Sequence, residues 1–171
     1  MGYRFRQPAN GMTYERARIT AQEAEEALQL TEPVSLESIH RQLEQLRDRT
    51  IMIKPMPGAP SDIVCGLWFS VNNLDLIFHA PGASEVHRRQ IVLHEFSHMI
   101  LRQEQERVSP DYARKFFPSV RDDSVVLALK RSDFLDEFEI TAELLADRLA
   151  ARIRKSQDSG GQPGNFEAVF G

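Results

Sequence analysis

The spacing of apolar positions changes period twice along the chain, and those changes mark out its elements. Residues 13–30 are dominated by good helix formers over a weak apolar stripe, and Thr20 with Glu23 resembles a capping box. Pro33 breaks the chain, and Ser35 can cap a second helix with Leu36, Ile39, Leu43 and Leu46 at helical spacing. The period then shortens. Thr50-Ile51-Met52-Ile53-Lys54 predicts a strand, and Pro55, Pro57, Gly58 and Pro60 predict a loop. Residues 63–71, rich in β-branched and aromatic side chains, predict a second strand. Asn72-Asn73 can occupy the left-handed region, so a tight hairpin leads into a returning strand over 74–79.

Pro81-Gly82 ends that strand, and Ser84 with Glu85 can start a helix over 86–101. Ile91, Val92, Met99 and Ile100 make that helix apolar around most of its circumference, so it should be largely buried. Within 102–131 the pattern predicts a short helix near 111–117 and another near 125–130, separated by Pro118. A longer helix follows over 133–155, where Phe138, Leu145, Leu149 and Ile153 form an apolar face that would dock it on the core. Helices before and after three strands fill one domain over 13–155, with a flexible start at 1–12 and a flexible tail at 156–171.

Composition narrows the function classes. A length of 171 residues suits one domain, and 42% hydrophobic with 27% charged residues is ordinary for a globular chain. A net charge of −4 argues against nucleic acid or an anionic membrane surface as the main partner, since both favour a basic excess. The single cysteine, Cys65, forbids an intrachain disulfide and a cysteine-rich zinc cluster, and reads as a small buried apolar residue. The polar start has no apolar core of a secretory signal, and no stretch approaches the ~18 apolar residues of a membrane span. The expected location is the cytoplasm.

The chemistry concentrates in His94-Glu95-Phe96-Ser97-His98, an H-E-x-x-H pattern. On a helix, residues four apart share a face, so both imidazoles can meet one ion. Glu95 adjoins the first histidine and can act on a water beside the metal as general base. A catalytic zinc ordinarily takes three protein ligands. No histidine follows His98, so the third should be a carboxylate. The last helix offers Asp136, Glu137, Glu139, Glu143 and Asp147, of which Glu139, Glu143 and Asp147 form one acidic stripe at spacing four. Such a stripe can equally be a solvated face. Glu143 stands among Ala142, Leu144, Leu145 and Ala146 with no cation before Arg148, which suggests a buried partner. By spacing alone, Glu139 and Glu143 are level.

Over roughly residues 30–154 the chain resembles the ImmA/IrrE-type metallopeptidases, particularly small actinobacterial members encoded beside a helix-turn-helix regulator. The residues that carry the resemblance are Cys65-Gly66-Leu67-Trp68-Phe69, Leu74-Asp75-Leu76-Ile77-Phe78 and the segment from His87 through Ile100. Arg131-Ser132-Asp133-Phe134 and Glu139-Ile140-Thr141-Ala142-Glu143-Leu144-Leu145-Ala146 complete it. The resemblance implies an α+β domain with a small antiparallel sheet, here three-stranded, packed on a zincin-like motif helix with helices before and after. It implies zinc held by His94, His98 and Glu139, with Glu143 supporting a histidine or replacing Glu139 as ligand. Thr141 stands where the family usually has an acid. The implied activity is endopeptidase cleavage of a helix-turn-helix repressor. A regulatory module that keeps the site and acts by docking a repressor or DNA is the alternative.

Other residues carry weaker signals. His87 lies two turns before His94 on the same helix face and His79 ends a strand before the motif helix, so both are cleft candidates, although a structural or surface role is the commoner fate of such histidines. Trp68 and Phe69 alternate on a strand, so one should be core, and that strand's edge could hold an extended peptide by backbone pairing. Arg88 and Arg89 read as a solvated face.

Overall fold

The computed structural model describes residues 11–57, 66–129 and 135–160. In order these form α1 (Gly11–Leu28), α2 (Leu36–Arg47), β1 (Thr50–Pro55), β2 (Gly66–Val71), β3 (Leu74–His79), α3 (Glu85–Ile100), β4 (Gln105–Arg107), α4 (Pro110–Phe116), β5 (Val126–Leu129) and α5 (Leu135–Gly160). The fold is α+β.

The sheet differs from the three antiparallel strands expected. It has five strands in the order β1-β3-β2-β5-β4, and β1 runs parallel to β3. β1 lies on the side of β3 away from β2, while Asn72 at φ 52 closes the tight β2–β3 hairpin. Residues near 125–130, expected as a helix, form β5 instead. Its short apolar run has strand neighbours on both sides, β2 and β4, and a buried strand shows no alternation to mark it. Three-residue β4 is too short to leave a periodic signal.

Both sheet faces are covered. Trp68 and Ile77 join the core beneath the other helices, together with Val92, Phe96 and Leu145. Phe69, Leu76, Phe78 and Val126 pack against Ala113 and Phe116 of α4. Trp68 and Phe69 are therefore both core, where alternation with one open face allowed only one. Ala17 and Ala21 of α1 are fully shielded, small side chains that let α1 lie close along α5.

The helix ends depart from expectation in three places. Thr20 lies inside α1 rather than capping it, and Gly11 rather than residue 13 begins that helix. Ser35 caps α2 reciprocally with Ser38, as the Ser35 pattern suggests. The expected flexible tail from 156 starts inside α5 instead: the Ser156 hydroxyl accepts from the Val34 backbone N–H at 2.8 Å and donates to Glu32. Residues 1–10 and 161–171 lie outside the described residues. No described helix is long and apolar enough to cross a membrane.

One carboxylate is wholly buried beneath the sheet's end. Asp75 accepts from Arg47 Nε at 2.7 Å, from Trp68 Nε1 at 3.2 Å and from the Ser70 hydroxyl. Burial alone would raise its pKa, but the bonds from Arg47 and Ser70, the Arg47 charge and the Trp68 bond outweigh that and hold it below the usual aspartate range. A depressed folded pKa contributes stability above the unfolded value near ~4, lost as pH falls through the folded value. Asp75→Ala is expected to lose about 3 kcal/mol in urea denaturation at pH 7, because it strands buried partners. The wild-type advantage over the variant should shrink as pH drops below ~4. A loss under ~1 kcal/mol would show that Asp75 is not holding the sheet end together.

Candidate metal centre

Helix α3 begins where the Ser84 hydroxyl accepts from the His87 backbone N–H, with Glu85 in the first turn favourable to the helix dipole. From Ile91 onward it is buried nearly all round, with Glu95, Ser97 and His98 among the buried side chains. Ser97 settles its hydroxyl locally, donating to the Leu93 carbonyl at 2.7 Å. Histidine and glutamate have no such local remedy, so neighbouring elements must meet them.

Helix α5 does so with its acidic stripe. Glu139 Oε2 lies 3.1 Å from His94 Nε2, and its Oε1 lies 3.4 Å from His98 Nε2. One turn on, Glu143 Oε2 accepts from His94 Nδ1 at 2.9 Å. A further turn on, Asp147 Oδ1 accepts from Gln90 Nε2 at 3.1 Å. Glu143 and Asp147 stay exposed, so the stripe is partly solvated, yet each of its three acids also meets a side chain of α3. Its spacing of four matches α3 read backwards, and the three acids run along that helix.

Glu139 and Glu143 therefore occupy different places despite equal spacing. Glu143 meets the back of the His94 ring, whereas Glu139 sits where the two Nε2 atoms converge. Those Nε2 atoms are 3.1 Å apart, and the donor atoms of His94, His98 and Glu139 all lie within 4.8 Å of one another. Nitrogen and oxygen ligands about 2.0–2.1 Å from a tetrahedral zinc stand about 3.3 Å apart, so the three side chains fit such an ion without rearrangement.

A glutamine that the sequence reading passed over completes the set. Arg102 adopts φ 53 just after the helix, turning the chain so that Gln103 folds back. Its Oε1 accepts from His98 Nδ1, and its Nε2 donates to the Phe138 carbonyl at 3.3 Å, one residue before Glu139. Both imidazoles are thus held at Nδ1, with their Nε2 atoms turned toward each other and toward Glu139. No motif announces Gln103; the only hint is a polar residue just beyond the helix end. Thr141 spends its hydroxyl on the Glu137 carbonyl at 2.7 Å.

Glu95 is buried against the start of β2. A Cβ on Gly66 would stand 2.6 Å from Ile91 Cγ2 and 3.0 Å from Glu95 Oε1, so only glycine lets the strand lie this close. Burial is the main influence on Glu95; His94 opposes it, Glu139 adds to it, and the carboxyl is lifted to about 7. For His94, burial disfavours the charge, but the Glu139 hydrogen bond and the charges of Glu95, Glu139 and Glu143 prevail and lift it to about 9. His98 is lowered, chiefly by burial and further by His94, against the pull of Glu139 and Gln103. Burial would raise Glu139, yet the His94 hydrogen bond and both histidines hold it below the usual range.

The two histidines proposed for the cleft, His79 and His87, stand outside the cluster. His79 is buried at the end of β3, opposite Gly66 in the strand register, with Nδ1 3.0 Å from the Ala80 carbonyl. His87 is exposed in the first turn of α3. Phe138, expected on the docking face of the last helix, is 47% exposed because that face extends past the core beside Gln103. Arg88 is exposed and Arg89 half-buried, and Cys65 lies outside the described residues. No family model, curated protein or solved structure matches this chain.

Glu139→Ala should abolish most divalent-cation affinity, whereas Glu143→Ala and Gln103→Leu should each cost only ~10–100-fold, in competition with a chromogenic chelator. Retention by Glu139→Ala with loss in Glu143→Ala would move the third ligand one helical turn. Because a cation must displace the His94 proton, affinity should also rise from pH 6.5 to 8.5. A flat or falling profile would contradict that ionisation.

Proposed function

We propose that the chain is a zinc-dependent endopeptidase, similar to the ImmA/IrrE-type enzymes, that cleaves a protein partner such as a helix-turn-helix repressor in the cytoplasm. The observation that supports this reading most is the convergence of His94 Nε2, His98 Nε2 and the Glu139 carboxylate at 3.1–3.4 Å, with Glu95 next in the chain to the first ligand. His94, His98 and Glu139 would hold the ion. Bound zinc supplies Lewis-acid polarisation of the scissile carbonyl and makes water more acidic.

The chain's own groups perform the remaining work. Glu95 takes the proton of the attacking water on a carboxylate oxygen and passes it to the departing amine. Burial of the Glu95 carboxyl favours its holding that proton between the two halves of the transfer. Glu143 and Gln103 fix the two imidazoles through their Nδ1 atoms, so neither ring rotates away. Beside Glu95, Gly66, Leu67 and Trp68 have β3 on one side. Among the described residues no strand pairs with them on the other, because β5 pairs only with Phe69, Ser70 and Val71. An extended peptide adding by backbone hydrogen bonds at the start of β2, around Gly66 and Leu67, would run past Glu95.

Glu95→Gln is expected to retain one zinc per chain while cleavage of a helix-turn-helix repressor from the same genome falls ~10²–10⁴-fold, read by mass spectrometry of fragments. Cleavage at the wild-type rate would remove Glu95 from the mechanism. Repressor binding by both proteins with cleavage by neither would favour a docking module.

A further inference from the structure

A cavity of about 610 Å³ opens at the far end of β2, lined by Arg47, Arg49, Ser70, Gln105, Arg121 and Leu127 among others. Ser70 is four residues along the strand from Gly66, about 13 Å at strand rise, so this is a place apart from the histidines. Its floor is the Asp75 network. Asp75 is served by hydrogen bonds from Arg47, Trp68 and Ser70, and one guanidinium already balances its charge. Arg49 is a second cation against the same carboxylate.

Arg49 is not used up there. Its Nε comes within 3.3 Å of Asp75 Oδ2 but makes no hydrogen bond, and only its Nη2 is engaged, by the Leu74 carbonyl at 3.0 Å. Gln105 touches the Ser70 hydroxyl with one end of its amide at 2.9 Å, while the other end is buried and unpartnered. Among the described residues, these two half-buried side chains carry the only buried side-chain polar atoms without a hydrogen-bond partner, and both residues line this cavity. Arg47 is held rigidly, with Nε on Asp75 and its guanidinium 5.0 Å over the Trp68 ring. At the rim, Arg121 and Asp123 form an exposed pair at 3.7 Å that adds no net charge and holds Arg121 weakly. Val125, 47% exposed, and Leu127 give the wall an apolar portion.

We propose that this cavity binds a small organic oxyanion, the head group shared by phosphate monoesters and carboxylic acids, between the guanidinium groups of Arg47, Arg49 and Arg121. Arg47 and Arg49 together exceed the single charge of Asp75, Arg121 stands at the rim, and guanidinium forks match a planar carboxylate or a phosphate. The volume exceeds what a bare ion needs and falls in the range of small-ligand sites, so the apolar wall would take the ligand's body.

Isothermal titration of the full chain with phenyl phosphate, benzoate and inorganic phosphate tests this. Saturable binding of phenyl phosphate at one per chain is expected, tighter than inorganic phosphate, with Arg49→Gln weakening it about tenfold and Arg121→Gln less. Benzoate binding more tightly, with the same dependence on arginine, would assign the head group to a carboxylic acid. His94→Ala should bind as the wild type does, which separates this cavity from the metal cluster. Arg121 is exposed, so its variant reports even where Arg49→Gln does not fold. No saturable binding of either aromatic anion, binding unchanged in the arginine variants that fold, or binding lost in His94→Ala would overturn the proposal.

Discussion

Helix α3 is buried almost all round and yet carries two imidazoles and a carboxylate, and the arrangement around it follows from that constraint. Leaving such groups unpaired in an apolar surround costs several kcal/mol each. Several neighbours of α3 therefore answer these groups at stated atoms or leave room for them. From α5, Glu139 and Glu143 reach the two nitrogens of His94, from the turn after α3 Gln103 reaches His98, and at the start of β2 Gly66 makes room for Glu95. Remove these partners and α3 could not sit where its apolar residues want it.

The same logic repeats at the other end of the sheet with a different outcome. Asp75 is as deeply buried as His98, but it is met by an excess of donors rather than by a matched set. Between the two polar ends the sheet is covered on both faces by aromatic and aliphatic side chains, which supply the bulk of the stabilisation. Exposed pairs such as Arg18 with Glu15 add little beside these, because water and salt screen them. Polar order in this protein is thus concentrated where burial makes it matter.

Much of this is legible in the sequence, for physical reasons. Helical periodicity is strong in α2 and α5, the Asn72-Asn73 turn sets the β2–β3 hairpin, and H-E-x-x-H on an apolar helix brings two histidines together by spacing alone. What escapes the sequence is long-range. Nothing in Thr50-Ile51-Met52-Ile53 says that β1 lies parallel beside β3, because pairing partner is a tertiary choice. The run at β5 reads as helix until its neighbours are known. Equal spacing leaves Glu139 and Glu143 level; the contacts that part them, one at Nε2 and one at Nδ1, depend on the tilt and register of α5 against α3. Gln103 depends on one backbone turn at Arg102 that no local pattern requires.

The most direct measurement of the central claim is zinc K-edge X-ray absorption on the purified chain. The expected spectrum is one zinc per chain with two imidazole nitrogens and a carboxylate oxygen at about 2.0–2.1 Å, the pattern collapsing in Glu139→Ala. A sulfur shell near ~2.3 Å, which only Cys65 or a methionine could supply, would contradict the claim. So would a spectrum that Glu139→Ala leaves unchanged.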